Sequence, residues 1–378
     1  MATSPPRALT LNAVRADHVG SLLRPAPLLQ ARIDHTAGRL DLAGLRAEED
    51  RAILDALRRQ RDCGIDVCSD GEFRRASFLT GVSDVVDGFV PGELPPLPWR
   101  GGDGNGESAP PVRGAVVAAR LRPREPIAGA EAAFLREHCP TPFKVTLPSP
   151  LLFAMNAYEP GRSDRAYPAR EDLLSEVSGL LAEAAGRLAR EGVPYVQLDS
   201  PSYTHLVDPE VLAARRALGV DVRGMLDEAI AGDNRVLDAA RAGGALTAVH
   251  LCRGNLMGRW LSRGGYDAIA ERLFTALRCD RLLLEYDSSR AGTFAPLRFV
   301  PAGKVVALGL ITTKSGQLES ADDVLRRIDE ASRIVPLERL AVSPQCGFAT
   351  SVAGNPLTQD DQWRKLELVA TLAREVWP

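Results

Sequence analysis

Two residues of the segment TAVHLCRGN (247–255), His250 and Cys252, could act together as ligands. The chain has only five histidines and six cysteines, so two of them one residue apart set this segment off. In an extended strand, a spacing of two puts both side chains on one side. An imidazole nitrogen and a thiolate so placed are half of a zinc site. Donors of matching chemistry occur later, at Glu285 in LLLEYDSSRAG (282–292) and at Cys346 in AVSPQCGF (341–348). The set is one nitrogen, two sulfurs and one oxygen. Zinc accepts all three ligand types and favours four of them. Soft thiolates argue against magnesium or calcium. A histidine and a cysteine at this spacing are, taken alone, more often a buried pair without a metal, so the elements that carry them must decide. Structural zinc sites draw closely spaced ligands from short loops, whereas these four run from position 250 to position 346. The other cysteines, Cys63, Cys68, Cys139 and Cys279, read as small buried apolar residues.

The elements that must hold these donors alternate between strand and helix. Apolar, β-rich segments are predicted near Val14–Val19 and at Ile65–Val67, Phe143–Leu147, Tyr195–Leu198, Leu246–Leu251, Arg281–Glu285, Lys304–Leu310 and Leu340–Val342. Most are apolar on both faces, as buried parallel strands are. Helical spacing predicts helices over Glu48–Arg61, Glu171–Arg190, Asp322–Arg333 and Asp360–Val376, with Ser320 as the N-cap of the third. About eight strands with interposed helices predict a (β/α)8 TIM-type barrel, residues 1–378 forming a single barrel domain. Residues 87–123 form an irregular Gly/Pro-rich insertion, expected to pass over the barrel mouth, with a hairpin as one form. GGDGNGE (101–107) is a poor match to a dinucleotide loop. His250, Cys252, Glu285 and Cys346 all fall at C-terminal strand ends, where barrels of this kind build their active sites.

Composition narrows the partners. A net charge of −3, with 25% charged and 45% hydrophobic residues, gives no reason to expect nucleic acid. No apolar run reaches the roughly 18 residues of a membrane span. No secretory signal is visible, so the cytoplasm is the expected compartment, with reduced thiols.

Several motifs together resemble the cobalamin-independent methionine synthase family in its short, single-barrel form. They are RADHVGSLLRP (15–25), DVCSDGEFRR (66–75), YVQLDSPSY (195–203), VHLCRGN (249–255), LLLEYDSSRAG (282–292), VALGLITTKSGQLES (306–320) and SPQCGFATSVAGN (343–355), in order along nearly the whole chain. The resemblance implies a (β/α)8 fold, catalytic Zn2+ held by His250, Cys252, Glu285 and Cys346, and methyl transfer to a thiol such as homocysteine, giving methionine. A thiolate is the nucleophilic form of a thiol, and zinc can hold a substrate thiol in that form at neutral pH. By motif match, Glu72 and Asp199 hold the substrate ammonium, and Val19, Gly20 and Ser21 form a backbone cradle for its carboxylate. His18 lies beside that cradle and is a further candidate contact.

The sequence departs from the long form in two matched places. Where the long form has a proton-relaying histidine, GLITTKS (309–315) offers Thr313 or Lys314, and Lys314 is the candidate catalytic substitute. The tryptophan that flanks the folate ring has no counterpart after LPSP (147–150). The N-terminal barrel of the long form also has no counterpart among these motifs. The methyl donor therefore stays open between a folate and a methylated corrinoid. Two rival readings stand beside this one: a zinc enzyme that opens epoxides with a thiol cofactor, and a lyase like uroporphyrinogen decarboxylase. The sequence leaves a homo-oligomer open.

Overall fold

The structure is a computed structural model that describes residues 9–101 and 113–378. Six parallel strands run side by side in chain order: β3 (Lys144–Pro148), β4 (Tyr195–Asp199), β5 (Leu246–Leu251), β6 (Arg281–Glu285), β7 (Val305–Ile311) and β8 (Leu340–Pro344). Two short extended segments complete the ring. Ala16 bridges in parallel to Val342 of β8, and Cys68 bridges in parallel to Phe143, just before β3. These two segments touch each other through the Asp66 N–H, which donates to the Ala16 carbonyl at 3.1 Å. The Asp66 carboxylate adds bonds to the N–H groups of Arg15 and Ala16 at 2.6 and 2.7 Å. The first two barrel positions are thus filled by single bridges in place of regular strands.

The period of two along each strand sorts the residues. Tyr195, Ala248, Leu283, Ala307 and Ala341 belong to a small core inside the ring. Val196, Leu198, Val249, Leu284, Val306 and Leu308 belong to the large core between ring and helices. Gln197, Asp199, His250 and Glu285 share the inward parity. The inside of the ring is therefore polar as well as apolar. Asp17 accepts from the Lys144 ammonium at 2.8 Å and the Tyr195 hydroxyl at 3.2 Å, with all three side chains fully buried. Burial alone would raise the Asp17 carboxyl, but Lys144 and Arg281 together hold it below its ordinary value.

Helices lie outside the ring at Leu42–Cys63, Arg170–Arg190, Met225–Ala242, Ala321–Ser332 and Gln359–Val376, among others. The Ser320 hydroxyl caps one of them, accepting from the Asp323 N–H at 3.4 Å. The insertion contains an antiparallel hairpin, β1 (Val86–Glu93) and β2 (Arg113–Pro123). Of GGDGNGE, positions 102–107 lie outside the described residues. The Arg100 and Trp260 backbones exchange two hydrogen bonds of 2.8 Å, and the Arg100 guanidinium reaches Asp208 at 2.6 Å. These contacts fasten the insertion to the barrel rim. Among the described residues, no helix is long and apolar enough to cross a membrane.

Candidate metal centre

Three strand ends, those of β5, β6 and β8, supply the donors, with β7 lying between the last two. His250 lies near the end of β5, and Cys252 follows one residue after it. Glu285 is the last residue of β6, and Cys346 comes two residues after β8. Their ligand atoms all lie within 4.8 Å of one another, and all four residues are buried. The two sulfurs are 3.3 Å apart. The His250 Nδ1 faces the Leu283 carbonyl at 3.3 Å, a contact that favours hydrogen on Nδ1 and a lone pair on Nε2. That Nε2 has no hydrogen-bond partner, and neither does the Glu285 Oε2. The other carboxylate oxygen, Oε1, accepts from the Arg253 N–H at 2.6 Å and is thereby fixed. Two buried lone-pair atoms without hydrogen-bond partners, the Glu285 Oε2 having only the Arg290 guanidinium at 3.6 Å, stand beside two thiols and suit a divalent cation of zinc's preferences.

The electrostatics agree with that fit. Hydrogen bonding from Cys252 and the nearby His250 hold the Cys346 thiol well below its ordinary range. The same sulfur–sulfur contact, with burial, pushes Cys252 well above it. Burial disfavours a charged His250, yet Cys346, Asp199 and Glu285 outweigh it and raise the imidazole. Burial also raises Glu285.

A cavity of about 530 Å3 opens over this cluster. Val19, Ser21, Glu72, Asp199, His250, Cys252 and Cys346 all line it, although they come from five separate segments. Asp199 is paired in register with His250. Burial, with the nearby Glu72 charge, raises the Asp199 carboxyl to about 7 against the pull of His250. Glu72 accepts from the Thr146 hydroxyl at 2.7 Å on one oxygen, while Oε2 is buried without a partner. Its backbone is left-handed, with φ of 59°, a strained conformation for a residue with a β-carbon. Gly20 has φ of 132°, and a β-carbon there would stand 2.8 Å from Thr146. Among the described residues, the Gly20 and Ser21 N–H groups donate to no protein acceptor.

The family model described as "Cobalamin-independent synthase, Catalytic domain" matches residues 157–359, more than half of the chain. The chain belongs to the cobalamin-independent methionine synthase family. It is 38% identical over 371 residues to the uncharacterized protein YxjH of Bacillus subtilis strain 168, covering 96% of this chain and 94% of that one. It is 22% identical over 333 residues to a methionine synthase of Pyrococcus abyssi, covering 87% and 85%. A Listeria monocytogenes protein, solved as a candidate vitamin-B12-independent methionine synthase, superimposes over 100% of both chains with a TM-score of 0.71 and 28% identity.

Within this synthase fold, four of the residues singled out from sequence, His18, Gly20, Glu285 and Lys314, are not among those that line the cavity. The His18 ring meets the Val67 carbonyl at 3.0 Å inside the barrel, and burial lowers it to about 3. The Lys314 ammonium donates to the Gly254 carbonyl at 3.2 Å, outside the lining residues. Its charge still acts on Glu285, Cys252 and Cys346. Glu285 also stands behind the lining.

Other residues do line the synthase cavity without having been drawn from motif spacing. Leu97 and Trp99 come from the insertion, and Arg215 from the helix Pro209–Ala217. Trp99 puts an indole on the cavity wall of a chain that lacks a tryptophan after LPSP. Nothing in its local sequence distinguishes it, because the rest of the wall outside the insertion lies far off in sequence. Trp260 pairs with Arg100 in the rim bridge.

Proposed function

We propose that this protein is a zinc-dependent methyltransferase that moves a methyl group to the sulfur of a thiol amino acid such as homocysteine, giving methionine. One observation carries the reading. Four zinc-type donors converge within 4.8 Å beside a cavity that two further buried acids, Glu72 and Asp199, also line. In this reading His250, Cys252, Glu285 and Cys346 hold the ion, and residues 1–378 form one catalytic barrel domain. Zinc, when bound, supplies the Lewis acidity that keeps a thiol ionised at neutral pH, where a free thiol with a pKa of about 8.5 is mostly protonated.

The chain's own residues do the rest. Glu72 offers an unpartnered carboxylate oxygen, and Asp199 a second acid, to the substrate ammonium. The free N–H groups of Gly20 and Ser21, next to Val19, face its carboxylate end. Asp199, with its pKa near 7, can take up the proton that the thiol loses and release it to solvent. The sulfur–carbon bond forms as the donor's bond to the same methyl breaks, and the electron pair of that bond leaves with the donor. A folate nitrogen leaving in this way needs a proton, whereas a corrinoid does not. Lys314 contributes its positive charge beside Glu285 and the thiols in place of a relaying histidine. Leu97 and Trp99 limit water at the mouth.

A decarboxylase-like lyase would leave the four converged donors without a role. Thiol attack on an epoxide would use the same metal ligands and differs only in the electrophile. The test is to incubate zinc-loaded protein with homocysteine and, separately, methylfolate and methylcobalamin, and to look for methionine by mass. Methionine from either donor is the expected result. Its absence with both, despite full zinc occupancy, would overturn the reading.

A further inference from the structure

Arg215 is the least satisfied charge among the described residues of the cavity wall. It sits in the last turn of the helix Pro209–Ala217 and is 1% exposed, while its neighbour Arg216 is open to solvent. Its Nε and Nη1 are buried with no hydrogen-bond partner. No carboxylate among the described residues acts on it, and burial alone lowers it to about 10. An uncompensated buried charge is costly, and folds seldom keep one without a use. His205 lines the same cavity, with its own Nδ1 buried and unpartnered.

The surroundings hold this wall in place. The Asp208 carboxylate caps the helix by accepting from the Glu210 N–H at 2.9 Å. It also receives Arg100 of the insertion at 2.6 Å. Thr204, next to His205, donates its hydroxyl to the Cys252 carbonyl at 2.7 Å. The arginine wall is therefore tied both to the insertion and to the metal-cluster strand.

We propose that Arg215, with His205 beside it, binds the anionic end of the methyl donor, a carboxylate or phosphate oxyanion. The assignment to the donor rests on the functional reading above. In that reading Glu72, Asp199 and the Gly20–Ser21 N–H groups already match the charged ends of the thiol amino acid, which leaves Arg215 for the second reactant. Leu152, Trp99 and Leu261 supply the apolar wall for the body of that molecule.

The test uses zinc-loaded full-length protein and three small probes: benzoate, phenyl phosphate and the uncharged benzamide. Calorimetric titration of the wild type should show benzoate or phenyl phosphate binding at least about tenfold more tightly than benzamide. The preferred anion identifies the group. R215M should erase the preference, R215K should keep part of it, and zinc content should not change. R215M should also melt at a higher temperature, because it removes an unpaired buried charge; a residue serving only structure would give a lower melting temperature. Equal binding of all three probes by the wild type would overturn the proposal. So would an anion preference that survives in R215M, since the anion would then be bound elsewhere. In turnover with 5-methyltetrahydrofolate, R215M should raise the KM for the donor at least about tenfold and leave that for homocysteine unchanged. If the wild type turns over no donor, the methyl-transfer reading fails, and the calorimetry still decides whether Arg215 is an anion site.

Discussion

Asp199 and His250 stand opposite one another across β4 and β5, at the last paired position of that ladder. One is an acid held near neutrality by burial, and the other ends in a nitrogen without a partner. Asp199 therefore faces the cavity from beside the ligand cluster without belonging to it. Asp199→Asn should keep its zinc and lose about a hundredfold in kcat/KM for homocysteine, the scale of one charge-assisted contact to a substrate ammonium. Steady-state kinetics with metal analysis on the same sample tests this. Parallel loss of zinc would instead place Asp199 in the support of the metal.

Cys346 should behave differently. Its sulfur lies 3.3 Å from that of Cys252 and is the more acidic of the two. Cys346→Ser exchanges a soft, ionised donor for a neutral hydroxyl, which zinc holds far more weakly. Zinc retained after dialysis should fall to less than about half, and methyl transfer should become undetectable. Full zinc and full turnover in this variant would remove Cys346 from the ligand set.

The strand ends were legible because parity and position were enough. His250 and Cys252 share a face by spacing alone, and Glu285 and Cys346 follow apolar runs that could only be buried strands. The first two barrel positions were also visible as short apolar segments, although each closes the ring by a single bridge. The cavity wall was less legible. Trp99 lies in an insertion whose path is set by Arg100 contacts to Trp260 and Asp208, residues more than a hundred positions away. Arg215 looks like any helix arginine until the burial around it is known. His18 sits beside the Gly20–Ser21 segment in sequence, yet its ring turns to the Val67 carbonyl. Neighbours along an irregular segment need not point the same way, whereas neighbours at a spacing of two in a strand must.

Gly347 joins the metal cluster to the substrate cradle. It follows Cys346, and a β-carbon on it would stand 1.9 Å from the Ser21 hydroxyl oxygen. The Phe348 N–H donates to the Ser21 carbonyl at 3.0 Å, so the two segments cannot simply part. Gly347→Ala should lower stability by about 1–3 kcal/mol, the usual cost of overpacking, and should raise the KM for homocysteine. Adding Ser21→Gly opens the space and should restore most of the stability. Equal instability of the single and double variants in urea titrations would show that the clash lies elsewhere.

Asp233 provides a pH test away from the metal cluster. It is fully buried on the helix Met225–Ala242 and accepts from the Tyr203 hydroxyl at 2.8 Å. Burial raises its carboxyl to about 7, with the bonds from Tyr203 and Ser200 opposing the rise. In the unfolded chain an aspartate titrates near 3.9. Between these values the folded state holds a proton that the unfolded state has lost. The stability from this group is therefore complete below about pH 4 and is lost as pH rises through 7. Asp233→Asn cannot titrate and can still accept from Tyr203 through its amide oxygen. Its stability relative to wild type should rise between pH 4.5 and pH 8 by a few kcal/mol at most, since each pKa unit is worth about 1.4 kcal/mol. Urea unfolding of both proteins at the two pH values measures the change. A constant difference would mean that Asp233 is ionised throughout, and that Tyr203 and Ser200 stabilise its charge better than burial penalises it.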